Sequence, residues 1–132
     1  MPYTSTDTAA PLRVLVVDDC PQLRETIRVA LENAGLMVVG EACDGAEALA
    51  EAAVQRPDVV LMDLAMPRMD GIQATRTLRR QQPHTPVVLW TGQDDAYLAA
   101  AIRSSGAHAG VPKGVGTVDL VAALRAAWQA RA

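Results

Sequence analysis

Short continuous runs of branched apolar residues recur along this chain, and they restrict its fold more than any other feature. Leu12-Arg13-Val14-Leu15-Val16-Val17, Val59-Val60-Leu61-Met62 and Val87-Val88-Leu89-Trp90 are too short for self-burying helices and read as strands covered on both faces. Residues 36–42 form another strand and residues 109–111 a weak fifth. Between the runs the apolar period becomes helical. Pro21 opens a helix carrying Leu23, Ile27, Ala30, Leu31 and Ala34, and Gly35 closes it. Asp44-Gly45 marks a turn before a second helix with Ala46, Leu49, Ala50 and Ala53 as its apolar set, and Pro57-Asp58 breaks that helix. Ile72, Thr75 and Leu78 define a third helix running toward Gln82, after a loop bracketed by Pro67 and Gly71. Residues 94–105 form a fourth on Tyr97, Leu98, Ala101 and Ile102, closed by Gly106. Residues 117–130 form a fifth, with Val118, Val121, Leu124 and Trp128 facing inward. Strands alternating with helices predict a (βα)5 α/β fold, a doubly wound parallel five-stranded sheet with helices on both faces and right-handed crossovers.

At 132 residues this is one domain, and its net charge of −3 leaves no footprint for nucleic acid or an anionic membrane. No apolar stretch reaches the ~20 residues that span a bilayer. Residues 1–11 are polar and small and lack the apolar centre of a signal peptide. They read as a disordered lead to a domain over residues 12–130 of a cytoplasmic protein. Cys20 and Cys43 have no CxxC spacing, so a disulfide scaffold or a zinc site is not expected, and both read as reduced thiols.

In a parallel sheet every strand ends on one edge, and that edge is where sites form. The predicted strands deliver Asp18 and Asp19, then Asp63, then Thr91, then Lys113 to it. His84 and His108 fall in loops of the opposite edge, which removes a histidine general base or zinc ligand. Three clustered acids repel one another unless a cation or an amine compensates. Hard carboxylate oxygens suit Mg2+ or Mn2+, and a carboxylate can attack phosphorus to give an aspartyl-phosphate. Lys113 would then pair with a phosphoryl oxygen as a point charge, and the Thr91 hydroxyl would donate to another. A single Asp after a strand is more often a helix cap or turn former. The ordered set on one edge is not explained that way, whereas Asp70, just before Gly71, is.

These segments, namely Val16-Val17-Asp18-Asp19, Met62-Asp63-Leu64-Ala65-Met66-Pro67-Arg68-Met69-Asp70-Gly71, Leu89-Trp90-Thr91-Gly92 and Gly106-Ala107 leading to Lys113, resemble the receiver domain of two-component response regulators over residues 12–130. The resemblance implies the flavodoxin-like fold of chemotaxis receivers, with strand order 2-1-3-4-5. It implies that Asp63 is the phosphoacceptor, Asp19 the direct Mg2+ ligand, Asp18 the holder of a metal-bound water, and the Ala65 carbonyl a further ligand. Thr91 resembles the switch hydroxyl and Lys113 the phosphoryl-contacting lysine. A phosphohistidine on a sensor histidine kinase would donate the group, and the receiver would catalyse only its own phosphorylation and slow dephosphorylation. Output would be a switched partner or self-association through the last two helices, with transcriptional control beyond them. The domain would not bind nucleic acid or membrane alone.

The sequence departs from that family at two places. The aromatic residue usual three positions before the lysine is Gly110, and the proline usual after the lysine is Gly114. Trp90, beside Thr91, is read first as a packed core aromatic and second as a switch aromatic replacing the one absent at Gly110. Two other functions compete. A Mg2+-dependent phosphatase working through an aspartyl-phosphate would want Asp two residues after the nucleophile, where this chain has Ala65. A flavodoxin-like cofactor binder would want a Ser/Thr/Gly-rich phosphate loop after the first strand, where this chain has Asp18-Asp19-Cys20-Pro21. A stand-alone receiver acting by protein binding only is the remaining alternative.

Overall fold

The computed structural model describes residues 10–66 and 69–131. Residues 1–9 of the expected lead, and Pro67 of the loop after Asp63, lie outside the described residues. The elements follow one another as β1 (Arg13–Val17), α1 (Pro21–Asn33), β2 (Met37–Ala42), α2 (Gly45–Gln55), β3 (Val59–Asp63), α3 (Gly71–Gln81), β4 (Val87–Thr91), α4 (Asp95–Ser105), β5 (Ala109–Pro112) and α5 (Thr117–Gln129). All four strand pairings are parallel, in the order β2-β1-β3-β4-β5. The (βα)5 expectation and its strand order hold.

Two cores explain why the strand sequences show no polar alternation. Leu15, Val17, Val60, Met62, Val87 and Leu89 pack with Ala48, Ala52, Ala74, Leu78, Leu98 and Ala101 of α2, α3 and α4. Val14, Val16, Leu61, Val88, Trp90 and Val111 pack with Ile27, Leu31, Leu120, Leu124 and Ala127 of α1 and α5. Successive strand residues point to opposite faces, and both faces are covered, so both sets must be apolar.

Two helices present a different face from the one their sequence suggests. In α2 the buried positions are Gly45, Ala48 and Ala52, while Ala46, Ala50 and Ala53 are exposed. The helix is rich in alanine, and alanine gives little contrast from which to read a phase. In α5 Val118 is 82 % exposed, and Leu120 takes the inward place with Leu124 and Ala127. Tyr97 of α4 is likewise exposed at 44 %, leaving Leu98 and Ala101 as that helix's buried apolar contacts.

Helix starts are set by three aspartates. Asp44, Asp70 and Asp94 each accept a hydrogen bond from the backbone N–H three residues on, at 2.8, 2.9 and 2.8 Å. Asp44 therefore caps α2 as well as turning the chain, and Asp70 is the cap its sequence suggested. Gly106 ends α4 at φ +81°, a conformation side chains rarely adopt. The histidines stay on the edge away from the acids. His108 Nδ1 accepts from the Val87 N–H at 3.3 Å, and burial, then the charge of Arg79, holds its pKa below the usual value. Among the described residues no helix is long and apolar enough to cross a membrane.

Candidate functional site

The ends of β1, β3, β4 and β5 bring the acids, the hydroxyl and the lysine together. Val17 pairs with Met62 in the β1–β3 ladder, so Asp18 and Asp63, the next residues, emerge side by side. Asp63 pairs with Trp90, and Thr91 pairs with Pro112, one residue before Lys113. The Lys113 N–H donates to the Thr91 carbonyl at 2.8 Å, tying the last two strand ends together. Carboxylate oxygens of Asp18, Asp19 and Asp63 lie within 4.8 Å of one another. Asp18 and Asp63 are buried, whereas Asp19 faces solvent.

Lys113 Nζ reaches into this group, 2.9 Å from Asp18 Oδ2 and 3.2 Å from Asp63 Oδ1. Three carboxylates and one ammonium leave two negative charges when all are ionised, the deficit a divalent cation would fill. The spacing of the oxygens suits one small ion ringed by carboxylates, with open solvent on the Asp19 side for its waters. The donor set is all oxygen, which fits Mg2+ or Mn2+ rather than zinc.

The titration of the pair reflects this crowding. Burial, then the charge of Asp18, pushes the Asp63 carboxyl above its ordinary value, with Lys113 and the Ala65 N–H opposing. Burial works to lower the Lys113 ammonium, but its hydrogen bond to Asp18 and the charges of both acids outweigh burial and hold it above the ordinary lysine value.

Surrounding contacts fix the frame. Asp18 Oδ1 accepts from the Cys20 N–H at 2.9 Å, so the backbone after β1 folds over that carboxylate. Ala65 places its N–H 3.4 Å from Asp63 Oδ1. Thr91 is buried, and its Oγ1 accepts from the Gln93 N–H at 3.1 Å, leaving its proton to donate elsewhere. Gly71 begins α3 directly over the β3 end. A Cβ there would collide with the Asp63 carbonyl oxygen and come within 2.9 Å of the Leu64 Cα, so only glycine allows this approach. Cys20 and Cys43 are free thiols near the same edge.

Arg24 escaped the sequence reading, whereas Trp90 is the packed core aromatic that reading put first. Arg24 of α1 donates to the Asp18 carbonyl at 2.6 Å and pairs with Glu41 at 3.1 Å, bracing the end of β1. Its place on the first turns of the helix after the acid pair was the available signal. Trp90 is 4 % exposed and lies on the α1/α5 side, with Lys113 Nζ 4.9 Å from its ring centroid. Gly110 lies on the opposite side. A Cβ on Gly110 would meet Leu98 Cδ1 at 2.5 Å and Ile102 Cδ1 at 3.0 Å, so α4 fills that space. Trp90 therefore does not occupy the place of the absent aromatic, since strand neighbours on opposite faces cannot substitute for one another.

The sequence matches the family description of the response regulator receiver domain over residues 14–125. The chain is 43 % identical over 103 residues to protein-glutamate methylesterase/protein-glutamine glutaminase 3 of Hahella chejuensis, covering 76 % of this chain and 29 % of that protein. It is 41 % identical over 115 residues to the response regulator GacA of Pseudomonas viridiflava, covering 86 % of this chain and 54 % of that one. Among solved structures, a LuxR-family two-component response regulator from Aurantimonas sp. SI85-9A1 superposes with a TM-score of 0.85 at 34 % identity, over 92 % of this chain and 87 % of that one. The chain spans between 29 % and 54 % of the length of these two curated relatives.

Proposed function

The chain belongs to the response regulator receiver domain family, and from that premise we propose that Asp63 accepts a phosphoryl group from the phosphohistidine of a sensor histidine kinase. The observation that carries this reading is the meeting of Asp18, Asp19, Asp63 and Lys113 at one strand edge. Asp19 and Asp63, with the Ala65 carbonyl, would hold Mg2+ or Mn2+, with Asp18 beside them for a water of the ion, and such an ion would supply positive charge for the phosphoryl oxygens.

The chain's own groups do the rest. A carboxylate oxygen of Asp63 attacks phosphorus while the histidine nitrogen departs. Lys113 shifts from the carboxylates to a phosphoryl oxygen, and the Thr91 hydroxyl donates its proton to another. Phosphorylation adds up to about two negative charges and three strong acceptors where the pocket previously held one carboxylate. That change biases two-state neighbouring elements and switches a partner or self-association through α4 and α5. On this reading the reaction takes place in the cytoplasm on a domain spanning residues 12–130, and its output is transcriptional.

Incubation with acetyl phosphate and Mg2+ tests the assignment by intact mass. The wild type gains about 80 Da, one phosphoryl group, and Asp63→Asn gains nothing. An adduct on both proteins, or on neither, defeats it.

A further inference from the structure

Three observations at Trp90 bear on how Lys113 is held. Trp90 lies beside Asp63 across the β3–β4 ladder and beside Val111 across the β4–β5 ladder, so it stands between the acceptor and the strand that delivers Lys113. Its ring faces the Lys113 ammonium at 4.9 Å, inside the range of a cation–π contact. Its indole Nε1 is buried and, among the described residues, has no hydrogen-bond partner. The polar handle that ordinarily fixes a buried tryptophan is idle, and the ring is held by packing and by the ammonium above it.

Its surroundings give the ring somewhere to pass a displacement. A cavity of about 240 Å3 opens beside it, lined by Leu23 and Ile27 of α1, Val115 and Leu120 around the start of α5, Trp90 and Lys113. Gly114 and Gly116, in the loop after Lys113, have nothing within 4 Å of a Cβ position, so this loop is unencumbered. On the other face Leu98 and Ile102 already fill the space above Gly110.

We propose that Trp90 is a positioning residue: its ring face holds Lys113 over the acid pocket, and movement of the ammonium on modification of Asp63 is passed through the ring to the α1–α5 cleft. The inference rests on Asp63 being the acceptor. It adds a response in the α1–α5 cleft to the association through α4 and α5.

Beryllofluoride with Mg2+, bound to the full chain, provides the test. Trp90→Leu keeps apolar bulk and removes the ring, whereas Trp90→Phe keeps a ring. The beryllofluoride dissociation constant rises at least about threefold in Trp90→Leu, the scale of a partly desolvated cation–π contact. It stays within about twofold of wild type in Trp90→Phe. In wild-type NMR spectra the Lys113 ε-methylene protons lie upfield through the ring current. They move on beryllofluoride binding, together with amides of Leu23, Ile27, Val115 and Leu120.

Equal affinity in all three proteins, a Phe variant as impaired as the Leu variant, an unshifted Lys113 resonance in the wild type, or a response confined to Leu98 and Ile102 overturns the proposal. A wild type that binds no beryllofluoride overturns the receiver reading and this inference with it. A Lys113 resonance still upfield in that protein separates that failure from loss of the ring contact.

Discussion

Lys113 Nζ bridges Asp18 and Asp63, 2.9 Å from an oxygen of the first and 3.2 Å from an oxygen of the second. One ammonium thus serves two buried carboxylates, and its removal leaves both without an amine. The lysine side chain is 27 % exposed, so the loss falls below that for a fully buried pair. Lys113→Ala should lower stability by about 2 kcal/mol in EDTA, and by less in Mg2+, where the ion supplies positive charge. Urea unfolding under the two conditions reads the difference. Equal losses in both would show that the ammonium and the ion do not answer the same charge.

Mg2+ should itself stabilise the fold, because it binds a preformed cluster that the unfolded chain lacks. At one hundred times its dissociation constant the gain is about 2.7 kcal/mol. Asp19 is exposed, so Asp19→Asn should leave stability in EDTA nearly unchanged yet remove most of the Mg2+ response. Thermal melts at several Mg2+ concentrations check this. A full response in Asp19→Asn would remove that residue from the ligand set.

The raised pKa of Asp63 sets a pH dependence. A carboxyl whose folded value lies above its unfolded one favours the fold when protonated. That contribution is fully present below the ordinary value of 3.8 and is lost as pH rises through the higher folded value. At neutral pH the ionised group works against the metal-free fold. Asp63→Asn should therefore stabilise the protein in EDTA at pH 7, and the gain should fade as pH falls through the raised folded value toward 3.8. Melts of both proteins between acid and neutral pH measure it. Lys113 titrates in a separate window. Its contribution is present below the ordinary value of 10.5 and is lost as pH rises through its raised folded value.

At Gly110 a methyl group would lie 2.5 Å from Leu98 Cδ1 and 2.9 Å from its Cγ. Gly110→Ala should cost about 1–3 kcal/mol through overpacking. Leu98→Ala should cost about 2 kcal/mol or more by leaving a cavity. The two together should cost less than their sum, since the methyl occupies space the leucine vacates. A double-mutant cycle by denaturant unfolding supplies the coupling. Strict additivity would mean that α4 yields at that point without involving Leu98.

Strands and the acid cluster were legible for the same reason. A parallel sheet covered on both faces demands continuous apolar runs, and each run ends at the edge where Asp18, Asp63 and Thr91 gather. The inner face of α2 was not legible, because Ala46, Ala48, Ala50 and Ala52 differ in burial but not in chemistry. Val118 was misplaced because hydropathy alone does not separate it from Leu120, two residues on, which the packing of α5 turns inward. The neighbours of Gly110 and the stacking of Lys113 on Trp90 arise between elements distant in sequence, where no local period records them.

Gly71 seats the first turn of α3 against the carbonyl of Asp63, with no room for even one added carbon. The backbone under Asp63 is thereby clamped like a workpiece. Were the Asp63 carboxyl modified, side chains and strand ends would have to answer around a peptide with no room to shift toward α3, and the β3 end would be the reference against which Lys113, Thr91 and the loop after β5 are displaced.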